Sequence, residues 1–420
     1  MRALDTLAGV HARLLQLERW APGARELEAE ARALRQAAQQ DAAERFGLRG
    51  IVASLQRNGS YSIEASMQEC LEELPSLAAQ ARVTRLCLEV DEEVAVDPHA
   101  EAFLQLDALR QIEVLRLYET ELRPASAQRL LAAPIWESLR RLELGIDACE
   151  PEHLEAFAQV SVPSSLSELC CEGFDSGMGD AGLRALAGAS WLPQLVRLEL
   201  VGQQLRDAGV QEFAAQATSL PRLRHLDLAS AGYADNQIFD GGLRALADCD
   251  WFPQLETLGL SGLAVGGAVP RALARATGLR TLGASNTGLT AEAIQFVSAM
   301  PAWRSLQSAV LSSNPLGDDG AEFLAAAAAA TLPGVLTLRA CEIGEAGLRA
   351  LGDAPAVQAL DLRFNPIPAS AWEQALAEQR LPRAQALAAS AQGWNEELID
   401  AITRHYPRVD LMRPASADGP

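Results

Sequence analysis

One apolar frame recurs along most of the chain and constrains its fold more than any other feature. The frame reads L-x-x-L-x-L-x-x-(N/C/T)-x-L, and clear copies of it are IEVLRLYETEL, LVRLELVGQQL and LQSAVLSSNPL. Eleven copies begin at Val83, Ile112, Leu139, Leu166, Leu195, Leu223, Leu255, Leu279, Leu306, Pro333 and Val357. Successive copies start 24 to 32 residues apart, a spacing that indicates a chain built from repeated structural units.

Each copy of the frame predicts a strand that is followed by a helix. The fourth and sixth residues should face the core and the third, fifth and seventh should face outward, because side chains alternate along a strand. The second half of a repeat, such as GDAGLRALAGASWLPQL, carries apolar residues at helical spacing after an Asp or Gly turn. Stacked units of this kind place a parallel sheet on the concave side and helices on the convex side.

The period of 27 to 29 residues and the G-x-x-G-x-x-x-L-A back half resemble the ribonuclease-inhibitor-like subtype of leucine-rich repeat proteins. This resemblance implies an α/β leucine-rich repeat solenoid, shaped like a horseshoe, with the parallel β-sheet on its concave face. The preceding segment contains the Glu/Arg-rich stretch ARELEAEARALRQAAQQDAAERF. It resembles the helical companion domain that precedes such repeats in some bacterial proteins.

The open ends of a repeat array must be covered, so helical caps are expected at both ends. We expect an N-terminal helical cap over residues 1–82 and the repeats over 83–380. A C-terminal cap over 381–412 would contain a helix around NEELIDAITRHYP and the short run RVDLM. Residues 413–420 are expected to form a disordered tail.

The charge balance favours a protein as the partner of this chain. The 35 basic and 55 acidic residues give a formal net charge of −20, which repels nucleic acid and anionic membrane surfaces. A protein with a basic surface would be attracted instead. All 35 basic residues are arginine, so phosphate loops and Schiff bases that need lysine are excluded. A GC-rich genome explains this composition, and selection against lysine-directed tagging is the alternative.

Cysteine and histidine indicate neither a disulfide framework nor a metal site. The seven cysteines are an odd number without C-x-x-C spacing, and the five histidines are scattered along the chain. We therefore expect no cofactor, no metal and a reducing compartment. The first 20 residues contain several charges, and no segment reaches the roughly 18 apolar residues of a membrane span, which predicts a soluble cytoplasmic protein.

Three features that could suggest chemistry have simpler explanations. His225 and Asp227 share one strand face, but no nucleophile accompanies them, so an acid/base pair is not favoured. Cys170 and Cys171 occupy the fifth and sixth frame positions, which predicts one surface thiol and one buried thiol. Four tryptophans stand three or four residues before a frame, and this constant position predicts a structural role: Trp136, Trp191, Trp251 and Trp303.

Residues that bind a partner are expected at the outward strand positions and on the loop of the 32-residue repeat. Those outward positions are charged or aromatic over six repeats and then become small and neutral. The candidate partner-binding residues are Arg85, Arg116, Tyr118, Arg141, Glu143, Glu172, Arg197, Glu199, His225, Asp227, Tyr233, Ile238 and Phe239. A second candidate lies at the far end, with Arg339, Arg363 and Phe364.

The same charges could instead stabilise the sheet by pairing between adjacent strands. The frame places Arg116 beside Glu143, Arg141 beside Glu168 and Glu168 beside Arg197. Exposed pairs of this kind contribute roughly 0–1 kcal/mol each. The alternative to a binding surface is therefore a solvated ladder of ion pairs.

The sequence predicts a non-enzymatic scaffold that binds another macromolecule through its concave face and its extended repeat loop. The alternatives are a regulatory GTPase-activating protein of the Ran-activating type, which shares the repeat subtype, and a bacterial effector or defence component.

Overall fold

The protein is described from a computed structural model. The structure describes residues 36–37, 39–40, 42–56, 60–89, 99–118, 133–145, 154–155, 158–159, 165–173, 177–230, 235–326, 332–354 and 357–412. The chain divides into two compact units. The described residues up to Ile238, together with Cys249–Trp251, form the first unit, and Phe239–Asp248 with the described residues from Phe252 onward form the second.

The first unit contains strands that lie side by side in sequence order. They are β1 (Val52–Leu55), β2 (Tyr61–Ala65), β3 (Val83–Glu89), β4 (Val114–Tyr118), β5 (Arg141–Leu144), β6 (Glu168–Glu172), β7 (Arg197–Val201) and β8 (His225–Asp227). β1 and β2 pair antiparallel, and all the following pairs up to β7 and β8 are parallel. Its α-helices are α1 (Met67–Gln80), α2 (Ala100–Leu104), α3 (Gly179–Ala187) and α4 (Asp207–Gln216). Short 3₁₀ helices cover Asp107–Gln111, Pro134–Glu137 and Leu192–Gln194.

The second unit alternates strands and helices. Its strands are β9 (Thr257–Gly259), β10 (Thr281–Gly283), β11 (Ser308–Val310), β12 (Val335–Thr337), β13 (Val357–Asp361), β14 (Ala384–Ser390) and β15 (Arg408–Met412). Its helices are α5 (Asp240–Ala247), α6 (Val269–Arg275), α7 (Ala291–Ser298), α8 (Pro301–Ser305), α9 (Gly317–Ala326), α10 (Glu345–Gly352), α11 (Ala369–Ala377) and α12 (Glu396–His405). A 3₁₀ helix covers Phe252–Gln254. The strands β9–β15 are parallel and follow sequence order.

The mixed α/β repeat architecture predicted from the frame is confirmed. Strands β3–β13 correspond to the eleven copies of the frame, and each begins at the first or the third residue of its copy. The fourth and sixth frame residues are at most 4% exposed in all eleven repeats, as Leu86 and Leu88 illustrate. Burial of this leucine-rich layer between strand and helix supplies the hydrophobic stabilisation of each repeat.

The segment before the repeats is not entirely helical, which corrects part of the predicted N-terminal cap. Val52–Leu55 and Tyr61–Ala65 form β1 and β2, and β2 extends the parallel sheet. In β2 the residues Tyr61, Ile63 and Ala65 are buried, whereas Glu64 is exposed. This strand has the alternating burial of a strand with one face on the core but lacks the leucines of the frame, so a search for the frame passes over it.

The predicted C-terminal cap also contains more strand than expected. The helix around NEELIDAITRHYP is present as α12, which begins after Asn395 with an N-cap hydrogen bond from Leu398 N to Asn395 Oδ1 of 2.8 Å. β14 and β15, however, add two parallel strands to β13. Small residues such as Ala386 and Ala388 fill the buried positions of β14, so the leucine pattern does not reveal this strand. Residues 1–35 and the tail at 413–420 lie outside the described residues, and the domain boundaries stay predictions.

The ninth frame residue hydrogen-bonds the turns of two repeats. Asn314, which is 1% exposed, accepts hydrogen bonds from the backbone N–H groups of Thr287 and Leu289, both at 3.0 Å. Its amide donates to the carbonyls of Ala284 and Leu311 at 2.7 and 2.8 Å. One side chain therefore satisfies buried polar groups of two consecutive turns, where water cannot replace it.

The 32-residue repeat keeps this bond pattern although its ninth residue is an alanine. Asn236, five residues later, accepts hydrogen bonds from the N–H groups of Gln203 and Leu205 at 2.9 and 3.0 Å. It also donates to the carbonyls of Leu200 and Leu228 at 2.8 and 2.9 Å. The asparagine lies five residues later in this repeat and makes the same kinds of hydrogen bond, so the added residues leave the hydrogen bonds between adjacent repeats in place.

Aspartates in the G-x-x-G back half cap the helix of the following repeat. Asp318 Oδ1 accepts hydrogen bonds from Gly344 N at 2.6 Å and Gly347 N at 2.8 Å, at the start of α10. Asp180 accepts from Arg206 N at 2.8 Å at the start of α4. A Cβ atom at Gly347 would lie 2.6 Å from Asp318 Oδ1, so the close approach requires glycine.

The structural role predicted for the four tryptophans agrees with their burial. Trp136, Trp191, Trp251 and Trp303 are at most 5% exposed. Trp251 Nε1 donates a hydrogen bond of 2.7 Å to the carbonyl of Ala217. Among the described helices, none is both long and apolar enough to cross a membrane.

Candidate functional site

Two rows of outward side chains cross strands β3–β8 of the first unit. The third frame residues form one row, which is Arg85, Val114, Arg141, Glu168, Arg197 and His225. The fifth frame residues form the second row, which is Cys87, Arg116, Glu143, Cys170, Glu199 and Asp227. We call these two rows the charged face. The strand register brings charges of opposite sign next to each other.

Three arginine side chains of the charged face form ion pairs with Glu143. Its carboxylate accepts hydrogen bonds from Arg85 Nη2 at 2.8 Å and from Arg141 Nε at 2.7 Å. Arg116 Nε lies 3.9 Å from Glu143 Oε2. Glu143 is 8% exposed, so its charge is tolerable because guanidinium groups surround it.

Arg141 joins this cluster to the next pair of strands. Its Nη1 donates to Glu168 at 2.7 Å, and its Nη2 lies 3.7 Å from Glu199. Arg197 in turn pairs with Glu168 at 3.6 Å and with Glu199 at 2.7 Å. The charges thus form one connected network and not a series of separate surface pairs.

All three lateral pairs predicted from the frame are present. Their distances are 3.9 Å for Arg116–Glu143, 2.7 Å for Arg141–Glu168 and 3.6 Å for Arg197–Glu168. The structure adds pairs that reach across an intervening strand. These are Arg85–Glu143 at 2.8 Å, Arg116–Glu172 at 3.7 Å and Arg141–Glu199 at 3.7 Å. Sequence reasoning that pairs adjacent strands misses them, because it ignores the length of the arginine side chain.

The prediction of a surface thiol at Cys170 is wrong. Its side chain points to the charged face, but Cys170 is 8% exposed and Cys171 on the opposite face is 1% exposed. Burial raises the pKa of the Cys170 thiol, and Glu199 raises it further. The neutral thiol donates to Glu199 and acts as part of the network, without the thiolate character of a nucleophile.

The two acidic groups at the β7–β8 end of the charged face have opposite pKa shifts. Burial pushes the pKa of Glu199 upward, but hydrogen bonds from Cys170 and Arg197 lower it below its ordinary value. Burial raises the pKa of Asp227, and the negative charge of Glu199 adds to that rise. Asp227 Oδ1 also accepts a hydrogen bond of 3.0 Å from Ala229 N. Charge is therefore less favourable on Asp227 than on Glu199.

The network borders an open cleft of about 280 Å³ on the charged face. Its walls are Arg85, Arg116, Arg141, Glu143, Leu144, Gly145, Cys170, Cys171, Glu172, Glu199 and Val201. The side chain of Glu172 is 69% exposed, whereas that of Glu143 is 11% exposed. The cleft has a buried ionic floor and a carboxylate that is open to solvent.

The structure brings together part of the predicted binding set. His225 lies opposite Arg197 and Asp227 opposite Glu199, so both extend the charged face. Ile238 is 1% exposed and packs in the core, so it is not a contact surface. Phe239 is 51% exposed and belongs to the second unit. Tyr233 and the side chain of Tyr118 lie outside the described residues.

The cleft is lined mainly by charged side chains. Arginine and glutamate side chains offer charged hydrogen-bond donors and acceptors in fixed positions. Within the described ranges, no group of three or more His, Cys, Asp or Glu side chains could hold a metal ion. The absence of a cofactor stays a prediction.

Comparison with known proteins identifies the repeat. The family described as Leucine Rich repeat matches residues 304–325, which span α8 to α9. The chain has the leucine-rich repeat fold. Tonsoku-like protein from Danio rerio is 29% identical over 206 residues, which are 46% of this chain. The match covers 14% of that relative, so the chain corresponds to a small part of its length.

The solved structure of another protein agrees with this fold. Rad7, in the crystal structure of the Rad7 and Elc1 complex in yeast, superposes with a TM-score of 0.53 and 14% identity. That match covers 92% of this chain and 96% of the other. An internalin (inlF) of Listeria monocytogenes has a TM-score of 0.43 and 16% identity, over 74% of this chain and 75% of the other. The ribonuclease-inhibitor-like subtype and the bacterial companion domain stay predictions.

Proposed function

We propose that this leucine-rich repeat chain is a non-enzymatic scaffold that binds another protein through the charged face and its cleft. The observation that carries the proposal is the connected network around Glu143 and Arg141, which holds the cleft walls in place. Arginines that are already fixed by carboxylates lose less conformational entropy when a partner binds. The Rad7 likeness adds support, because that protein was crystallised in a complex with Elc1.

The preferred partner has a basic surface that meets Glu172 and the rim of the cleft. Glu172 is the most exposed carboxylate of the ion pairs on this face, and its pair with Arg116 is long at 3.7 Å. The formal net charge of −20 attracts a basic partner at long range. The exclusion of nucleic acid and the cytoplasmic location are kept as predictions.

A charge reversal at Glu172 tests the proposal with a matched control. Glu172→Arg should abolish capture of the partner from a lysate of the source organism, with the captured proteins identified by mass spectrometry. Glu212→Arg is the control, because Glu212 lies on α4 and pairs with a single arginine, Arg184, at 2.8 Å. The control variant should capture the same protein as the unmodified chain.

The two variants should unfold at nearly the same denaturant concentration, since each breaks a solvent-exposed ion pair. Equal capture by all three proteins would contradict the proposed surface. Acceleration of GTP turnover by small GTPases in the presence of the chain would contradict a non-enzymatic role and favour the GTPase-activating alternative.

A further inference from the structure

An exposed phenylalanine in the second unit occupies a backbone position that does not suit it. The eighth frame residue has a positive φ in five consecutive repeats of this unit, namely Gly262, Asn286, Ser313, Ala340 and Phe364. Glycine and asparagine tolerate the left-handed region, whereas a bulky aromatic residue is an outlier there. Phe364 has a φ of 61° and is 50% exposed.

The turn that carries Phe364 is rigid, so the exposed ring is held in a fixed place. Phe364 N donates a hydrogen bond of 2.9 Å to Ser390 Oγ. The next residue, Asn365, accepts hydrogen bonds from Cys341 N and Ile343 N at 2.9 and 3.1 Å. The backbone at Phe364 and at the next residue is therefore held by hydrogen bonds, so the ring is preorganised for contact and does not sit on a flexible loop.

A guanidinium group lies against the ring of Phe364. The Arg339 guanidinium carbon lies 5.0 Å from the ring centroid, within the range of a cation–π contact. The Arg339 side chain is 41% exposed, and its ion pair with Asp361 is long at 3.9 Å. The surface thus presents a phenyl ring and a partly exposed positive charge side by side.

The carboxylates near Arg339 are directed to another arginine. Arg363 Nη2 donates to Asp361 at 2.6 Å, and Arg363 Nη1 donates to Asp410 at 3.0 Å. Asp361 is 2% exposed and the Arg363 side chain is 15% exposed. With Arg339 included, the cluster has two arginines and two aspartates, and its charges sum to zero. Arg339 is the most exposed of the four side chains, at 41% against 24% for Asp410.

We infer that Arg339 and Phe364 form a second binding site, independent of the charged face, for a protein segment that carries a carboxylate beside a large apolar side chain. The carboxylate pairs with Arg339, and the apolar side chain packs on the exposed part of the Phe364 ring. Arginine and aromatic residues at such sites contribute much of the energy of an interface. The net charge of −20 disfavours a nucleic acid strand, although phosphate and base could use the same groups.

The test selects ligands for the full chain from a phage library of random twelve-residue peptides. The recovered peptides should include a class with Asp or Glu next to a large aliphatic or aromatic residue. Each peptide of this class should bind at least about tenfold more weakly to Phe364→Gly and to Arg339→Gln than to the unmodified chain, as judged by fluorescence polarisation. Phe296→Ala is the matched control, because Phe296 is 64% exposed on α7, and it should leave binding unchanged.

Unfolding measurements separate binding from structure. Phe364→Gly should keep or raise the denaturation midpoint, because glycine relieves the left-handed backbone conformation. The inference is overturned if no enriched peptide both carries a carboxylate beside a large apolar residue and binds the two variants more weakly than the unmodified chain. A random single-stranded oligonucleotide that binds the unmodified chain but not the variants would overturn it in favour of nucleic acid. Loss of the charged-face partner through Glu172→Arg has no bearing on these outcomes.

Discussion

Replacement of Asn314 by alanine should destabilise the second unit by more than a single hydrogen bond would suggest. The side chain forms two bonds to the N–H groups of Thr287 and Leu289 and two to the carbonyls of Ala284 and Leu311. The carbonyls have other donors, because Ala284 O also accepts from Thr287 Oγ1 at 3.1 Å and Leu311 O also accepts from Cys341 Sγ at 3.3 Å. The two N–H groups would lose their acceptor at a buried site, because Asn314 is 1% exposed.

An orphaned buried donor costs roughly 1–3 kcal/mol, so two of them give a loss of about 2–6 kcal/mol. Asn286→Gly is the control, because Asn286 is exposed in the adjacent repeat and has a φ of 51°, which glycine adopts without strain. The control should unfold within about 1 kcal/mol of the unmodified chain.

Chemical denaturation measures the overall loss, and hydrogen exchange read by mass spectrometry localises it. Peptides that contain residues 284–289 should lose protection in Asn314→Ala but keep it in Asn286→Gly. If the free energy of unfolding falls by less than about 1 kcal/mol and hydrogen exchange in this segment is unchanged, the hydrogen bonds of Asn314 contribute no more than exposed hydrogen bonds.

Three further substitutions probe the charged face and the repeat turns. Asp227→Asn should raise the denaturation midpoint at pH 7. The pKa of Asp227 is raised in the folded chain, so this residue stabilises the fold below its unfolded pKa of 3.8, and that contribution is lost as the pH rises. The difference in midpoint between the two proteins should therefore vanish in measurements below pH 3.8. Glu143→Gln should cost about 1–3 kcal/mol, less than a fully buried pair because its arginines are partly exposed, and added sulfate should recover part of the loss in a thermal melt. Gly347→Ala should cost about 2–4 kcal/mol in urea, since its Cβ would meet Asp318, whereas Gly188→Ala should be neutral or stabilising because its Cβ would lie 3.5 Å from the nearest atom.

The repeat strands could be predicted from sequence because their signal is carried by large apolar residues. Leucine fills both the fourth and the sixth frame positions in most repeats, so one rule locates β3–β13. Cys171, Ala284 and Ala309 are the exceptions, and in each of these repeats the other position is a leucine. Strand β2 was missed because Tyr61, Ile63 and Ala65 stand where the frame has leucines. Strand β14 was missed because Ala386 and Ala388 fill buried positions. Alanine is common in helices as well, so composition could not distinguish the two structures there.

The charged face could be predicted in its residues but not in its connections. Alternation along a strand was enough to place Arg141 and Glu168 side by side. The burial of Cys170 and the reach of Arg85 to Glu143 across a strand depend on how long side chains fold over the sheet. The sequence contains no periodic signal for that choice, because rotamers are decided by all the neighbours together.

Asn236 shows that a repeat of this chain is defined by its hydrogen-bonding asparagine and not by a fixed number of residues. Successive turns are aligned because the asparagine side-chain amide hydrogen-bonds the backbones of two adjacent repeats. The number of residues between the strand and this asparagine can therefore vary. A protein designer could therefore use the stretch just before Asn236 to graft foreign loops, as long as the amide itself is retained. The same tolerance gives evolution a place where a recognition surface can be lengthened without disturbing the neighbouring repeats.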